Sequence, residues 1–451
     1  MRSKSLPVRL LALLFAMVFV VAACGDDDDE PSGSGDSTTS TTEGGGAAEG
    51  SLAGWRGTTP APETTPEVEA FQAKMDEADP DLKDYNYGPE SYDAVMMIAL
   101  AVEIAKSDGI DHAGEIVNVS AGGEKCTTWE DCKALIDAGT TDIDYDGVSG
   151  PQDMSGNGEP IAGSYAILEF GEDNRIDDSK TTFKGGQAPP EVNDIPLTET
   201  EGTRAGDGTL KIGTLLPETG SLAFLGPPEI AGVKVAIDEI NEAGGVLGKD
   251  VESTFSDSGD TSTDIASTSV DRLLSENVDA IVGAASSSVT LSVIDKVIGA
   301  GVTMFSPANT SSTLSTYEDK GLYFRDAPPD IIQGKVLAEV LAEDGHGSIY
   351  ILNLDDAYGN GLAENLNDSF TEAGGEVAGT TAYDPQAQTF EAEVGKAKAA
   401  DADAVVVIGF EESSRIVAEM IKQGVGPADI PVYGTDGNMG NATGEKFEEG
   451  D

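Results

Sequence analysis

Histidine is almost absent. The 451 residues hold two, His112 and His346, which leaves little room for imidazole acid–base catalysis or a His-rich metal site. Cysteine is nearly as scarce, at three, so a four-thiolate zinc ribbon is excluded. Positive charge is the third shortage. Only 26 Lys+Arg stand against 82 Asp+Glu, a formal net charge of −56. Phosphate backbones and anionic lipid surfaces are bound by basic faces, so nucleic acid and peripheral anionic membranes are excluded as partners. Enzyme signatures are also missing. There is no G-x-S-x-G nucleophile elbow and no H-E-x-x-H zinc motif. AGGVLGKD falls short of a phosphate loop, with Ala243 where Gly is needed and Asp250 where Ser or Thr is needed. What is present is a 39 % hydrophobic share, enough to pack cores.

The N-terminus reads as an address. Arg2, Lys4 and Arg9 precede an apolar run from Leu10 to Ala23. That run is shorter than the roughly 20 residues of a spanning helix and matches a signal-peptide core, assigned to residues 1–23. It ends in VAAC, a string that resembles the lipobox of bacterial lipoproteins. The resemblance implies lipidation of Cys24 and an extracytoplasmic, lipid-anchored location. Residues 24–50 are acidic and rich in Ser, Thr and Gly, and they read as a flexible tether. The remaining cysteines, Cys126 and Cys132, are close in sequence in an exported chain, and a local disulfide is expected.

From residue 209 the hydrophobic pattern alternates between strand and helix. LKIGTLLP (210–217), VDAIVGAA (278–285), TMFSPA (303–308), GSIYILNL (347–354), ADAVVVIGF (402–410) and IPVYGTD (430–436) read as strands. Amphipathic helices are predicted over 232–245, 289–301, 361–375 and 413–424. This alternation predicts an α/β fold with parallel sheets covered on both faces. Ligands of such sheets sit at the carboxyl ends of the strands. The informative loops are therefore GAASSS, SPANTS, LDDAYGN, GFEES and GTDGN.

Six strings stand in one order: IGTLLPETGSLAFLG, AIDEINEAGGVLGK, VGAASSSVT, FSPANTSSTLS, DDAYGNGLAE and VYGTDGN. Together they resemble the solute-binding proteins of ABC transporters, of the branched-chain amino acid (Leu/Ile/Val) type. The resemblance implies a two-lobed type I periplasmic-binding-protein fold, with two Rossmann-like parallel-sheet lobes joined by three hinge crossings. Residues 51–185 resemble the C-terminal third of that family, yet here they come first. The strings are GWRGTTPAPETTPEVEAF, YGPESYDAVMMIALAVEIAK, AGGEKCTTWEDCKALIDAG, IDYDGVSGPQDM and GSYAILEFGEDNRI. Reading Asp451 into Ser51 makes a sensible join, so the chain order is expected to be circularly permuted, with 186–209 as the new linker. By analogy, lobe one takes 210–324, 436–451 and 51–158, and lobe two takes 330–433 and 159–182. The crossings are expected near 325–329, 434–435 and 158–160.

The cleft chemistry follows from an amino acid's two charges. A buried carboxylate needs donors, and a buried ammonium needs acceptors and a negative charge. GAASSS leads from a strand into a helix, so hydroxyls and free amides converge there as an anion seat. The resemblance places the carboxylate contact at Ser287, with Ser286 the alternative register. It assigns the Ala308 carbonyl to the ammonium, the Thr310 hydroxyl and amide to the ligand, and Asp436 to the ammonium's charge. Tyr358 matches a lobe-two residue that closes over the ligand, Phe410 supplies apolar contact, and Leu225 with Phe224 shapes the side-chain pocket. Ser286–Ser288 and Thr310 equally suit helix N-caps, and Asp436 suits a turn. DIDYDGVSGPQD (142–153) carries the D-x-D-x-D-G spacing of a calcium loop at Asp142, Asp144 and Asp146. It lacks a flanking helix pair, and no metal or cofactor is expected.

The implied function is capture of a branched-chain or other apolar amino acid for an ABC permease and its ATPases, by a monomer without enzymatic activity. An amide, urea or aromatic acid as ligand, or a sensor role, is the alternative.

Overall fold

The computed structural model describes residues 50–193 and 195–448. The apolar run, Cys24 and nearly all of the acidic tether lie outside them. In chain order the strands are β1 (Arg56–Pro60), β2 (Glu124–Cys126), β3 (Ile143–Tyr145), β4 (Ala162–Glu169), β5 (Thr182–Gln187), β6 (Lys211–Leu215), β7 (Glu252–Thr254), β8 (Ala280–Gly283), β9 (Thr303–Ser306), β10 (Tyr323–Arg325), β11 (Ser348–Leu354), β12 (Glu376–Tyr383), β13 (Ala404–Ile408) and β14 (Val432–Gly434).

Among the described residues two large sheets form. One runs β10-β9-β8-β6-β7, all parallel. The other runs β12-β11-β13-β14-β1-β4-β5 and is parallel as far as β1, with β4 and β5 antiparallel at its edge. The apolar runs β8, β9, β11 and β13 are buried along nearly their whole length, as strands covered on both faces must be. Each sheet has its own core, and the two cores define two lobes.

Helix boundaries follow local chemistry. The helix expected from 232 starts earlier, at Gly226, because Pro227 and Pro228 fit its first turn, where no amide is required. The helix expected from 361 starts at Ala357, because the Asp356 carboxylate caps it by accepting from the Gly359 amide at 2.8 Å.

The lobe boundary differs from the expectation. Residues 51–60 and 436–448 belong to the second lobe. β1 pairs with β14 through Arg56↔Tyr433 and Gly57↔Gly434. Leu52, Trp55, Met439 and Phe447 are buried in the second core, and the Trp55 ring stacks on Phe170 at 5.3 Å. Gly57 lies flush on Gly434, leaving no space for a side chain. The first crossing is therefore not at 434–435 but between Pro60 and the helix Pro66–Ala78, whose Phe71 and Met75 enter the first core. The chain also passes between the lobes near 158–160 and 325–329. These two passages run side by side, with the Arg325 amide donating to the Gly158 carbonyl at 3.0 Å. Arg325 is fully buried and pairs with Glu159. It also donates to the carbonyl of Ser311 at 2.9 Å and to Ser315 Oγ at 2.7 Å.

The segment expected to be a plain linker is a strap. It leaves β5 of the second lobe and then runs over the first. The Gly156 amide donates to the Ile195 carbonyl, Glu201 N to Lys320 O, and Ile110 N to Arg204 O, at 3.0–3.1 Å. Arg204 pairs with Asp279 at 2.7 Å. Asp108 accepts the amides of Asp207, Gly208 and Thr209 at 2.9, 2.8 and 3.1 Å. The strap ends at β6, so it is a fourth covalent link between the lobes.

Cys126 and Cys132 form a disulfide, with Cα atoms 5.2 Å apart. In the calcium-like loop, Asp144 and Asp146 share the ammonium of Lys125, at 3.1 and 2.9 Å. No helix among the described residues is long and apolar enough to cross a membrane.

Candidate functional site

The informative loops meet between the lobes at the carboxyl ends of β8, β9, β11, β13 and β14. After β8 the chain turns into the helix Ser287–Gly299. Ser286 is its N-cap, with Oγ accepting from the Val289 amide at 3.4 Å. The SPANTS loop is bonded onto this turn. Asn309 Nδ2 donates to the carbonyls of Ala284 and Ala285 at 2.9 and 2.8 Å. Ser287 Oγ accepts the amides of Thr310 and Ser311 at 3.3 and 3.2 Å. The capping role of Ser286 and the bridging role of Ser287 are thus both observed, and both residues also face the cleft.

The second lobe closes against this surface. Ser288 Oγ donates to Asp356 at 2.9 Å and accepts the Ala357 amide at 3.1 Å. Ser311 Oγ donates to the Ala357 carbonyl at 2.8 Å. Early helix initiation by Asp356 puts Tyr358 in the first turn, where its ring stacks on Phe410 at 5.2 Å and 11°.

Asp436 lies at the floor. Its Oδ1 accepts the Tyr358 hydroxyl at 2.8 Å, and its Oδ2 accepts the Tyr87 hydroxyl at 2.7 Å. It is 4 % exposed. Burial pushes its carboxyl up from the usual range, and the hydroxyls of Tyr87 and Tyr358 and the amide of Gln333 oppose that. No described Lys or Arg forms an ion pair with it. Each oxygen retains acceptor capacity, so an arriving cation would find acceptors there and would favour the ionised carboxylate.

These residues surround a tightly closed pocket whose free space is only ≈ 10 Å³, about that of one water. Ser286, Ser287, Ala308, Thr310, Tyr358, Phe410, Asp436 and Leu225 all line it. Phe224 does not; it is half-buried against the second core. Sequence reasoning missed Tyr87, Leu222, Ala285 and Gly437. Tyr87 has a left-handed backbone, φ 59°, just before the helix Gly88–Ala105. Its signal was an aromatic next to Gly-Pro, but its partner is 349 residues away.

A model of the family described as periplasmic binding protein matches residues 209–446. A second, for the receptor family ligand binding region, matches 29–173. The chain is 29 % identical over 245 residues to a leucine-, isoleucine-, valine-, threonine-, and alanine-binding protein of Pseudomonas aeruginosa, covering 51 % of this chain and 65 % of the relative. It is 29 % identical over 223 residues to the chemotactic signal transduction system substrate-binding protein BasB of Halobacterium salinarum, covering 47 % and 52 %. The chain thus spans less than two thirds of these relatives' length. Among solved structures, the branched-chain amino acid transporter substrate binding protein LivJ from Streptococcus pneumoniae, in complex with isoleucine, is similar at 30 % identity. Its TM-score is 0.46, and the match covers 54 % of this chain and 67 % of that one.

Proposed function

We propose, for a chain that belongs to the periplasmic binding protein family, that it captures a small apolar amino acid outside the cytoplasm and delivers it to an ABC importer. One observation carries this reading: a buried carboxylate with no ion-pair partner faces, across a small cavity, a turn rich in hydroxyls. The α-ammonium would pair with Asp436 and the Ala308 carbonyl. The α-carboxylate would take donors from Ser287 or Ser286 and from Thr310. Leu222, Leu225 and Phe410 would receive an aliphatic side chain. Urea, a neutral amide or an aromatic acid would leave Asp436 buried without a cation, and this favours the amino acid.

Ligand capture would be a hinge closure that excludes water, and the closed form would dock on a permease served by ATPases. The relatives are binding proteins, in keeping with a role that needs no catalysis. The lipid on Cys24 would hold a monomer at the membrane, with residues 24–50 as tether. Circular permutation is part of this reading. It is supported by β1, early in the chain, pairing with β14 near its end inside a single sheet.

The test is a thermal-shift series. A ligand that binds only the folded form raises the melting temperature. Leucine, isoleucine or valine should raise it. 4-Methylpentanoate, which lacks the ammonium, should not. A rise with urea or benzoate and none with any amino acid would overturn the reading. For the permutation, a chain rebuilt as 210–448 followed by 51–187 should melt cooperatively and bind the same ligand.

A further inference from the structure

A second cavity lies at the hinge. It shares no lining residue with the first and is far larger, ≈ 1200 Å³. All three crossings wall it, through Pro62, Pro160 and Pro328. Phe71 and Tyr92 add an aromatic pair from the first lobe, with centroids 4.9 Å apart.

Two buried carboxyls belong to this wall. Asp326 is 5 % exposed, and neither of its oxygens has a hydrogen-bond partner. Glu90 is 3 % exposed, with Oε2 unpartnered. Nearby Asp93 is different. It is saturated by Tyr145, Val148, Ser149 and Gln152. Unpaired buried carboxyls are costly, and the cations in this wall do not relieve them. Lys74 is committed to Glu239 at 2.6 Å, and Lys335 forms no ion pair with either acid. A metal does not suit the place, because no described group of three or more His, Cys, Asp or Glu converges to hold one. Two carboxyls backed by proline and aromatic rings suit an ammonium carried on hydrocarbon, since aromatic faces also attract cations.

We propose that the hinge cavity is a second ligand site, for a small organic cation. A primary amine on an apolar body would seat its ammonium on Asp326 and Glu90 and its hydrocarbon against the crossing prolines and Phe71. Burial raises both carboxyls, Glu90 to about 8, and an arriving ammonium would lower them again.

The test is calorimetry on the folded chain, with phenethylamine, isoamylamine and putrescine as probes and sodium chloride at matched ionic strength as control. Saturable one-to-one binding of at least one amine is expected. It should weaken about tenfold or more in both Asp326→Asn and Glu90→Gln, each checked for a cooperative melt. It should persist in Asp436→Asn, which separates this site from the amino acid cavity. Absence of saturable binding at millimolar amine would overturn the proposal. So would affinity unchanged in both hinge variants, or binding lost in Asp436→Asn instead.

Discussion

Asp436 and Glu90 are both buried carboxyls, yet they answer differently to substitution. Asp436 is held between two tyrosine hydroxyls in the cleft. Asp436→Asn is expected to weaken amino acid binding about tenfold or more, because an ammonium loses its charge partner; titration calorimetry checks this. Glu90 is pushed up to about 8 by desolvation. The folded chain therefore keeps a proton that the unfolded chain releases near 4.5. That contribution to stability is whole below the unfolded value and is lost as pH rises through about 8. Melting curves of Glu90→Gln should fall less steeply across this window than those of the parent. Tyr87 shows how far residue-level reading reaches. Its polar tip and apolar body were visible, but nothing local ties it to an aspartate so distant in sequence.

Elements are decided by their ends. The helix Ala357–Glu372 begins where Asp356 caps it, and the same carboxylate bonds Ser288 of the opposite lobe. Asp356→Ala is expected to cost about 1 kcal/mol of stability through the lost cap and also to weaken ligand binding, by removing a bond across the closed cleft. Denaturant melts and calorimetry read the two effects separately. Ser286→Ala, also a cap loss, keeps every one of those cross-cleft bonds. The hinge strands depend on Arg325 and Glu159, both buried. Glu159→Gln leaves the guanidinium without its counter-charge and should cost about 3–5 kcal/mol, measured by denaturant unfolding. Strand and helix order was legible because continuous apolar strand runs and a helical period of 3.6 are local properties. The early helix start was not read, because the Asp355–Asp356 pair offers two caps and only packing against Ser288 selects one.

At the scale of the whole molecule, the strap is the feature that chain order creates. It connects β5 to β6 across the hinge and is bonded along the first lobe. Cutting it at a protease site placed near Thr200 should leave one folded particle, since only Ala188 of the strap belongs to the buried cores and it lies well before the cut. Ligand affinity should fall several-fold as the open state gains freedom. Calorimetry before and after cleavage, with scattering to follow opening, checks both points. Its Pro, Gly and acidic composition reads as linker, and the backbone bonds at Ile195, Glu201 and Arg204, the amides offered to Asp108 and the charge offered to Asp279 make it ordered.

By itself, the sequence determined the strand–helix alternation, the loops that carry chemistry and the residue types that a zwitterion requires. Hydrophobic period, Ser-rich turns and a lone acid are all written within a few neighbouring positions. The tertiary structure decided which lobe owns residues 51–60 and 436–448. It also decided that Tyr87 meets Asp436, and that Asp326 and Glu90 face a cavity without partners. A short strand such as β1, RGTTP, reads the same whichever sheet it joins; its place is set by Trp55 against Phe170 and Gly57 against Gly434. Those contacts exist only when distant segments fold together.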